Sequence, residues 1–243
     1  MVLRIEDLDA ARCRPEFVAA VDEDLRWFGC EWDEGPDVGG PFAPYVQSQR
    51  TGLYRAALTW LQATGHVYPC CCSRQDVLRA LGAPHEGDDE PIYPGTCRPD
   101  SDRELRQIPA GRVPHWRFRV LDGRSVSFVD GHLGPQSFTA GRDFGDFVVW
   151  RNDDVPSYQL AVVVDDTAMQ ITEVVRGADL LLSTARQLLL YEALELTPPG
   201  FFHCPLVVDE HGVRLAKRHA SLSLRELRSQ GRIADELHEP QPM

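Results

Sequence analysis

Lysine is all but missing from this chain: of its 25 basic residues, Lys217 alone is a lysine. Positive charge is not in excess either, since 37 acidic residues leave a formal net charge of −12. That balance excludes indiscriminate nucleic-acid binding, which needs clustered cations against phosphate, though it leaves room for a local basic patch. No apolar run approaches the ~20 residues of a membrane-spanning helix, and the residues after Met1 read as a strand rather than a secretory leader. Seven cysteines, three of them consecutive, do not resemble a disulfide framework. They point to a reducing cytosol, with some of the thiols on a metal. At 43% hydrophobic and 26% charged residues, the 243-residue chain is ordinary for a globular protein, long enough for one large domain or one domain with a smaller insertion.

What is present centres on residues 158–179. Leu160-Ala161-Val162-Val163-Val164 is an unbroken apolar run stopped by Asp165-Asp166. It reads as a strand buried on both faces of a parallel sheet. A second apolar segment, residues 171–175, ends at Arg176 before Gly177. Ligands in open α/β sheets sit beyond the carboxyl ends of strands. Tyr158, Asp165, Asp166 and Arg176 are therefore expected near one crevice, where an arginine can hold a carboxylate through two parallel charge-assisted bonds. The plainer alternative is that Arg176 caps a strand and pairs with Asp179.

The chain opens with a short strand, Val2-Leu3-Arg4-Ile5, closed by the acidic Glu6-Asp7-Leu8-Asp9. Carboxylates there could receive an ammonium group or a ribose hydroxyl, or form a solvated turn. Phe17, Val18, Val21, Leu25 and Phe28 recur at helical spacing, a loop rich in Gly and Pro covers residues 35–44, and a helix over residues 49–64 is expected to bury Leu53, Ala56, Ala57, Trp60 and Leu61 before Gly65. Cys70-Cys71-Cys72 and Cys97 then suggest a zinc site, with Cys70, Cys72 and Cys97 as thiolates and Cys71 pointing away. The fourth ligand is left open among His85, a water and the phenolate of Tyr93, and three inert buried cysteines are the competing account. Short alternating segments over residues 113–146 read as antiparallel sheet inserted into an α/β core. Gly131-His132-Leu133-Gly134 lacks the second histidine of a nucleotide-binding turn and precedes no helix, so it is a decoy. Ser183 is the expected N-cap of a helix over residues 184–196, and residues 202–208 read as another buried strand. Lys217 sits in a loop beside Arg214, Arg218 and His219, where a compact mobile charge suits a triphosphate. Ser223-Leu224-Arg225-Glu226 is a capping box opening a last short helix.

Taken in order, Arg4-Ile5-Glu6-Asp7, Gln47-Ser48-Gln49-Arg50, Tyr68-Pro69-Cys70, Tyr158 with Val164-Asp165-Asp166, Val175-Arg176-Gly177-Ala178-Asp179 and Leu215-Ala216-Lys217-Arg218 resemble the glutamyl branch of the class I aminoacyl-tRNA synthetases. Cys70, Cys72, Tyr93 and Cys97 resemble the C-x-C…Y-x-x-x-C zinc site of its short paralogues, which glutamylate the queuosine base in the anticodon loop of tRNA(Asp). The resemblance implies a Rossmann-like catalytic core over residues 1–68 and 151–208, an inserted zinc-bearing, partly antiparallel subdomain over residues 69–150, and a KMSKS-like loop with a C-terminal helix over residues 209–243. It implies Glu6, Tyr158 and Arg176 as glutamate-binding residues, Arg214, Leu215, Ala216, Lys217 and Arg218 as the ATP loop with Lys217 catalytic, and one structural Zn²⁺. ATP with Mg²⁺, L-glutamate and queuosine-bearing tRNA(Asp) are the implied partners of a cytoplasmic monomer. Family members carry a first strand, an H-I-G-H-type loop and a helix ahead of the segment matching Val2 to Glu6. The expectation is that this form lacks them and has little synthetase activity of its own. Two other readings stand beside it: a fragment of a discriminating glutamyl-tRNA synthetase, or a non-catalytic tRNA-binding remnant with Arg214, Arg218, Arg225, Arg228 and Arg232 as its basic edge.

Overall fold

The computed structural model describes residues 1–9, 13–81, 91–99, 108–206 and 223–234. The chain divides into two compact units, one of residues 1–50 with 206–243 and one of residues 51–205.

In the first unit the extended start of the chain lies parallel to two later segments, Val2 bridging Glu34 and Ile5 bridging Val46. Ile5 N–H donates to the Tyr45 carbonyl at 2.9 Å and Gln47 N–H returns to the Ile5 carbonyl at 2.9 Å. The expected strand is thus two isolated bridges instead of a ladder. Helix α1 (Pro15–Trp27) begins on a proline, whose fixed φ suits a first turn that has no use for its N–H. Its apolar stripe is not the core its spacing suggests. Ala20 is the buried residue of the helix, while Phe17 and Val21 are 51% and 46% exposed. Periodicity shows that a face can be buried, not that a partner covers it. The short helix Leu224–Ser229 approaches α1 through Arg225 and Arg228, 3.4 and 3.6 Å from the Asp24 carboxylate. Ser223 caps it as the capping box predicts, accepting the Glu226 N–H at 3.2 Å.

The second unit runs α2 (Thr51–Ala63), β1 (Val67–Cys70), α3 (Arg74–Leu81), β2 (His115–Phe118), β3 (Ser125–Asp130), β4 (Gly134–Thr139), β5 (Phe147–Trp150), α4 (Tyr158–Ala168), β6 (Glu173–Gly177), α5 (Leu181–Ala193) and β7 (Gly200–Cys204). The order β1-β2-β5 forms an antiparallel sheet, β3 and β4 a hairpin, and β6 and β7 a parallel pair. Parallel neighbours need a crossover, which α5 supplies. Helix α2 ends where Gly65, at φ +73°, lets His66 N–H close back on the Leu61 carbonyl at 2.9 Å. The face it buries is Tyr54, Leu58 and Leu61; Leu53 and Trp60, expected inside, are 46% and 45% exposed. The Tyr54 hydroxyl donates to the buried Asp165 carboxylate at 2.8 Å.

The central apolar run corrects the reading of its segment most sharply. Residues 158–168 are the helix α4, not a strand. Ser157 caps it, accepting Leu160 N–H at 3.4 Å. Leu160, Ala161, Val162, Val163, Asp165 and Asp166 are all buried, so the helix is enclosed on most sides and shows no polar stripe. A short apolar run cannot distinguish that situation from a buried strand. Gln170, at φ +54°, then reverses the chain into β6, with Ile171 N–H on the Asp166 carbonyl at 2.8 Å. Ser183 is likewise not a cap: α5 begins at Leu181 and buries Ser183 within its first turn. The last expected strand starts earlier than its apolar residues suggest, at Gly200, and residues 207–208 of that expectation lie outside the described residues.

Candidate functional site

Residues Arg176 and His203 face each other because β6 and β7 run parallel with those two in register. The Arg176 side chain is half-buried and held from three sides. Its Nε–H donates to His203 Nε2 at 3.2 Å, and Nη2 donates to Thr184 Oγ1 at 2.7 Å and Gln187 Oε1 at 2.8 Å. Thr184 and Gln187 come from adjacent turns of α5 and are themselves buried. Gln187 Nε2 in turn donates to Gln159 Oε1 at 2.9 Å, and Gln159 Nε2 to Ser183 Oγ at 3.0 Å. The remaining guanidinium nitrogen, Nη1, lies 3.4 Å from the Tyr158 hydroxyl at the start of α4. Tyr158 is 38% exposed, so this is the edge that faces solvent. The side-on fork of Nε and Nη2 expected for a carboxylate is taken by the protein, which leaves Nη1, beside Tyr158, as the nitrogen on the exposed side. Asp165 and Asp166 are not part of this crevice. Seven residues of helix carry Asp165 roughly 10 Å along the axis from Tyr158, and it is bonded to Tyr54.

Behind His203 lies Asp130, at the end of β3, with both side chains fully buried. The Asp130 carboxylate takes His203 Nδ1 at 2.6 Å and the backbone N–H groups of His132, Leu133 and His203 at 3.0, 2.9 and 3.2 Å. Burial opposes its ionisation, but the imidazole and the three N–H donors prevail and hold it well below the usual carboxylate range. The Gly131–Gly134 stretch is therefore the hairpin turn that feeds donors to Asp130.

In the same unit the thiol sulfurs of Cys70, Cys72 and Cys97 lie within 4.8 Å of one another. The Tyr93 hydroxyl is 3.3 Å from Cys70 Sγ and 3.6 Å from Cys72 Sγ, and Cys72 and Cys97 sulfurs are 3.6 Å apart. A tetrahedral zinc with Zn–S near 2.3 Å needs sulfurs about 3.8 Å apart, so the donors fit such an ion with little movement. Donors also face the group: Cys97 N–H reaches the Tyr93 oxygen at 2.8 Å, Arg117 Nε–H reaches Cys70 Sγ at 3.3 Å, and the Arg117 guanidinium stacks 4.0 Å over the Tyr93 ring. Burial pushes the Cys72 thiol up to about 12 and raises the Tyr93 hydroxyl. At Cys97 burial is outweighed by hydrogen bonds from Tyr93 and from Cys71 N–H, and the thiol is lowered. Beneath the cluster, Asp146 is buried under a bidentate Arg98 (2.7 Å to each oxygen), the Tyr68 hydroxyl and Val120 N–H at 2.8 Å.

The first unit holds Glu6, exposed and paired with Arg4 Nη2 at 3.0 Å. Its neighbour Asp7 is the more constrained, receiving the Ser48 N–H at 2.8 Å and the Ser48 hydroxyl at 2.6 Å. His85 and the whole of Arg214, Leu215, Ala216, Lys217 and Arg218 lie outside the described residues. The structure brings Tyr158 to Arg176 and Tyr93 to Cys70, Cys72 and Cys97. What the sequence reading passed over is the frame around Arg176. The signal was available: Thr184 and Gln187 are polar residues three apart, and so on one face of a helix.

The family description "tRNA synthetases class I (E and Q), catalytic domain" matches residues 1–237. The glutamyl-Q tRNA(Asp) synthetase of Nitratidesulfovibrio vulgaris is 51% identical over 232 residues, which cover 95% of this chain and 71% of that protein. Its counterpart in Symbiobacterium thermophilum is 52% identical over the same shares of each chain. The crystal structure of glutamate-tRNA synthetase from Elizabethkingia anophelis superposes with a TM-score of 0.75 at 30% identity, covering 89% of this chain but 46% of that one.

Proposed function

The chain belongs to the class I tRNA synthetases of the E and Q type, enzymes of ligase type, and from that premise we propose that it activates L-glutamate with ATP and transfers the glutamyl group to the queuosine base of tRNA(Asp). The observation that carries the reading is the Arg176–Tyr158 pair, a cation and a phenol at one solvent-facing edge, of the kind that receives a carboxylate. Glu6 is assigned to the substrate ammonium. The loop Arg214 to Arg218, with Lys217 as its point charge, is assigned to the ATP phosphates, with Mg²⁺ accompanying the nucleotide. Activation joins a glutamate carboxylate oxygen to the α-phosphorus and releases pyrophosphate, so the protein's work is positioning and charge stabilisation. The queuosine-directed step is supported by the two relatives of that name. Residues 69–150 are assigned as the zinc-bearing insertion and the rest as catalytic core and C-terminal loop. Free thiols fit a cytoplasmic protein, and a monomer is the expected state.

The test is glutamate-dependent ATP–pyrophosphate exchange, followed by glutamylation of tRNA(Asp) with and without queuosine. Exchange together with queuosine-dependent labelling supports the reading, whereas queuosine-dependent glutamylation with little or no exchange by this chain alone is the low activity expected from its sequence. Labelling of queuosine-free tRNA at its 3′ end would move the assignment to a glutamyl-tRNA synthetase. Salt-sensitive tRNA binding with no exchange would favour a binding remnant.

Cys70, Cys72, Tyr93 and Cys97 would hold the zinc, which when bound serves as a structural cross-link and not as a reactant. Elemental analysis is expected to find one zinc per chain. Cys97→Ser should lose it, and Tyr93→Phe should retain it with at least tenfold weaker affinity in chelator competition. A metal content near zero in freshly prepared, reduced wild-type protein would sink this assignment.

A further inference from the structure

We propose that Asp130 and His203 are a positioning dyad for Arg176, fixing which edge of its guanidinium is presented to the substrate carboxylate. The inference rests on the reading of Arg176 as the carboxylate-binding residue and names what aims it. An ionised carboxylate only accepts, and Asp130 already takes three backbone N–H groups, so the hydrogen on the 2.6 Å contact belongs to His203 Nδ1. That leaves Nε2 as a lone pair. Two donors are directed at it: Arg176 Nε–H at 3.2 Å and the Thr184 hydroxyl at 3.2 Å. Thr184 can donate there because its oxygen is itself accepting from Arg176 Nη2. Every hydrogen in the group is thereby placed by one choice of tautomer. The opposite tautomer, or the imidazolium, would point an N–H at the guanidinium and deprive Arg176 Nε of its acceptor.

The geometry makes this more than local satisfaction. With Nε on His203 and Nη2 shared between Thr184 and Gln187, three of the five Arg176 donors are committed to buried partners. Only Nη1 is turned toward Tyr158 and solvent. An arginine without the His203 acceptor could rotate about its last torsion and offer Nε and Nη2 instead, in a different direction. Asp130 thus acts on the substrate site through two intervening side chains. Its own place is set by the β3–β4 turn, whose Gly131 passes so close to β7 that a Cβ there would stand 2.9 Å from Phe202.

The test uses the full chain and three variants. Asp130→Asn keeps the shape of the carboxylate but puts an NH₂ against His203 Nδ1, forcing the proton to Nε2. His203→Gln can return an acceptor to Arg176 without needing Asp130. Arg176→Lys is the control for the site itself. Nitrogen-15 NMR of histidine-labelled protein should show the Nδ1–H tautomer at His203 in the wild type and the Nε2–H tautomer in Asp130→Asn. An Nε2–H tautomer in the wild type overturns the proposal without any ligand present. L-Glutamate binding by calorimetry should weaken roughly 10–100-fold in Asp130→Asn, as for a displaced binding group, with ATP binding unchanged. His203→Gln should recover most of that loss, and Asp130→Asn added to it should cost nothing further. If Arg176→Lys weakens glutamate binding while Asp130→Asn, still folded, does not, the dyad is structural only and the inference fails with the site assignment intact. If Arg176→Lys binds glutamate as the wild type does, the site assignment itself falls, and the inference with it.

Discussion

Arg176→Ala is expected to weaken L-glutamate binding by about 2–5 kcal/mol, roughly thirtyfold to several-thousandfold in Kd, while leaving ATP binding within error. The magnitude follows from what the side chain offers. Nη1 presents a charged donor beside the Tyr158 hydroxyl, and losing one member of a close charge pair leaves the substrate carboxylate without compensation where it is partly shielded from water. Tyr158→Phe removes a neutral donor at an exposed position, so its expected cost is smaller, about 0.5–1.5 kcal/mol. Arg176→Lys should fall near the alanine variant. A lysine has no planar fork, and it cannot satisfy His203, Thr184 and Gln187 while also reaching the ligand. Folding should be affected less than binding, because Arg176 is only half-buried and water can replace it against Thr184 and Gln187. Calorimetry separates the two effects. A folded Arg176→Ala chain with unaltered glutamate affinity would falsify the assignment.

The particular residues show what the sequence could and could not convey. Arg176 stood out because a charged residue closing an apolar segment is a local pattern, and β6 ends one residue later, at Gly177. Tyr93 was one of three candidates offered by the residues and was singled out only by the resemblance, since nothing in its own spacing distinguishes a phenolic ligand from a core tyrosine. The helix α4 was misread because its cue was tertiary. Five apolar residues, three of them β-branched, favour a strand locally, and enclosure by α2 and α5 reverses that preference. Its end was equally hidden: Gln170 takes the left-handed conformation usually marked by glycine, as Glu195 does after α5, whereas Gly65 announced the end of α2 openly. Asp130 and His203, 73 residues apart, could not be paired before the β3–β4 turn was seen to reach β7, where Gly131 N–H donates to the Phe201 carbonyl at 2.8 Å. Contacts made by topology leave no trace in local pattern.

Asp146→Ala is expected to destabilise the second unit by about 3–5 kcal/mol, the cost of removing one partner from a buried ion pair. The Asp146 side chain is wholly buried, and four donors converge on it: Arg98 Nε and Nη2, the Tyr68 hydroxyl and Val120 N–H. Tyr68 and Val120 are buried, and the Arg98 side chain is only 19% exposed. The chain positions of those donors make the effect reach the cysteine cluster. Tyr68 lies two residues before Cys70 and Arg98 follows Cys97; Arg117, which touches Cys70 Sγ, bonds the Asp146 main-chain carbonyl at 3.3 Å, a contact the alanine variant keeps. Asp146 is thus the point at which β1, the Cys97 loop, β2 and β5 are tied together, and it orients the thiols without touching them. Asp146→Asn should be intermediate, since the amide oxygen can still accept from Val120 while the Arg98 charge loses its counterpart. Tyr68→Phe removes a single hydroxyl and should cost about 1 kcal/mol. Urea denaturation followed by tryptophan fluorescence reads the order Asp146→Ala, Asp146→Asn, Tyr68→Phe. A parallel chelator titration should show the alanine variant releasing its metal first. An alanine variant within 1 kcal/mol of wild type, or one that holds its metal as firmly, would mean that the cluster is organised by its own loop and that the carboxylate beneath it is dispensable.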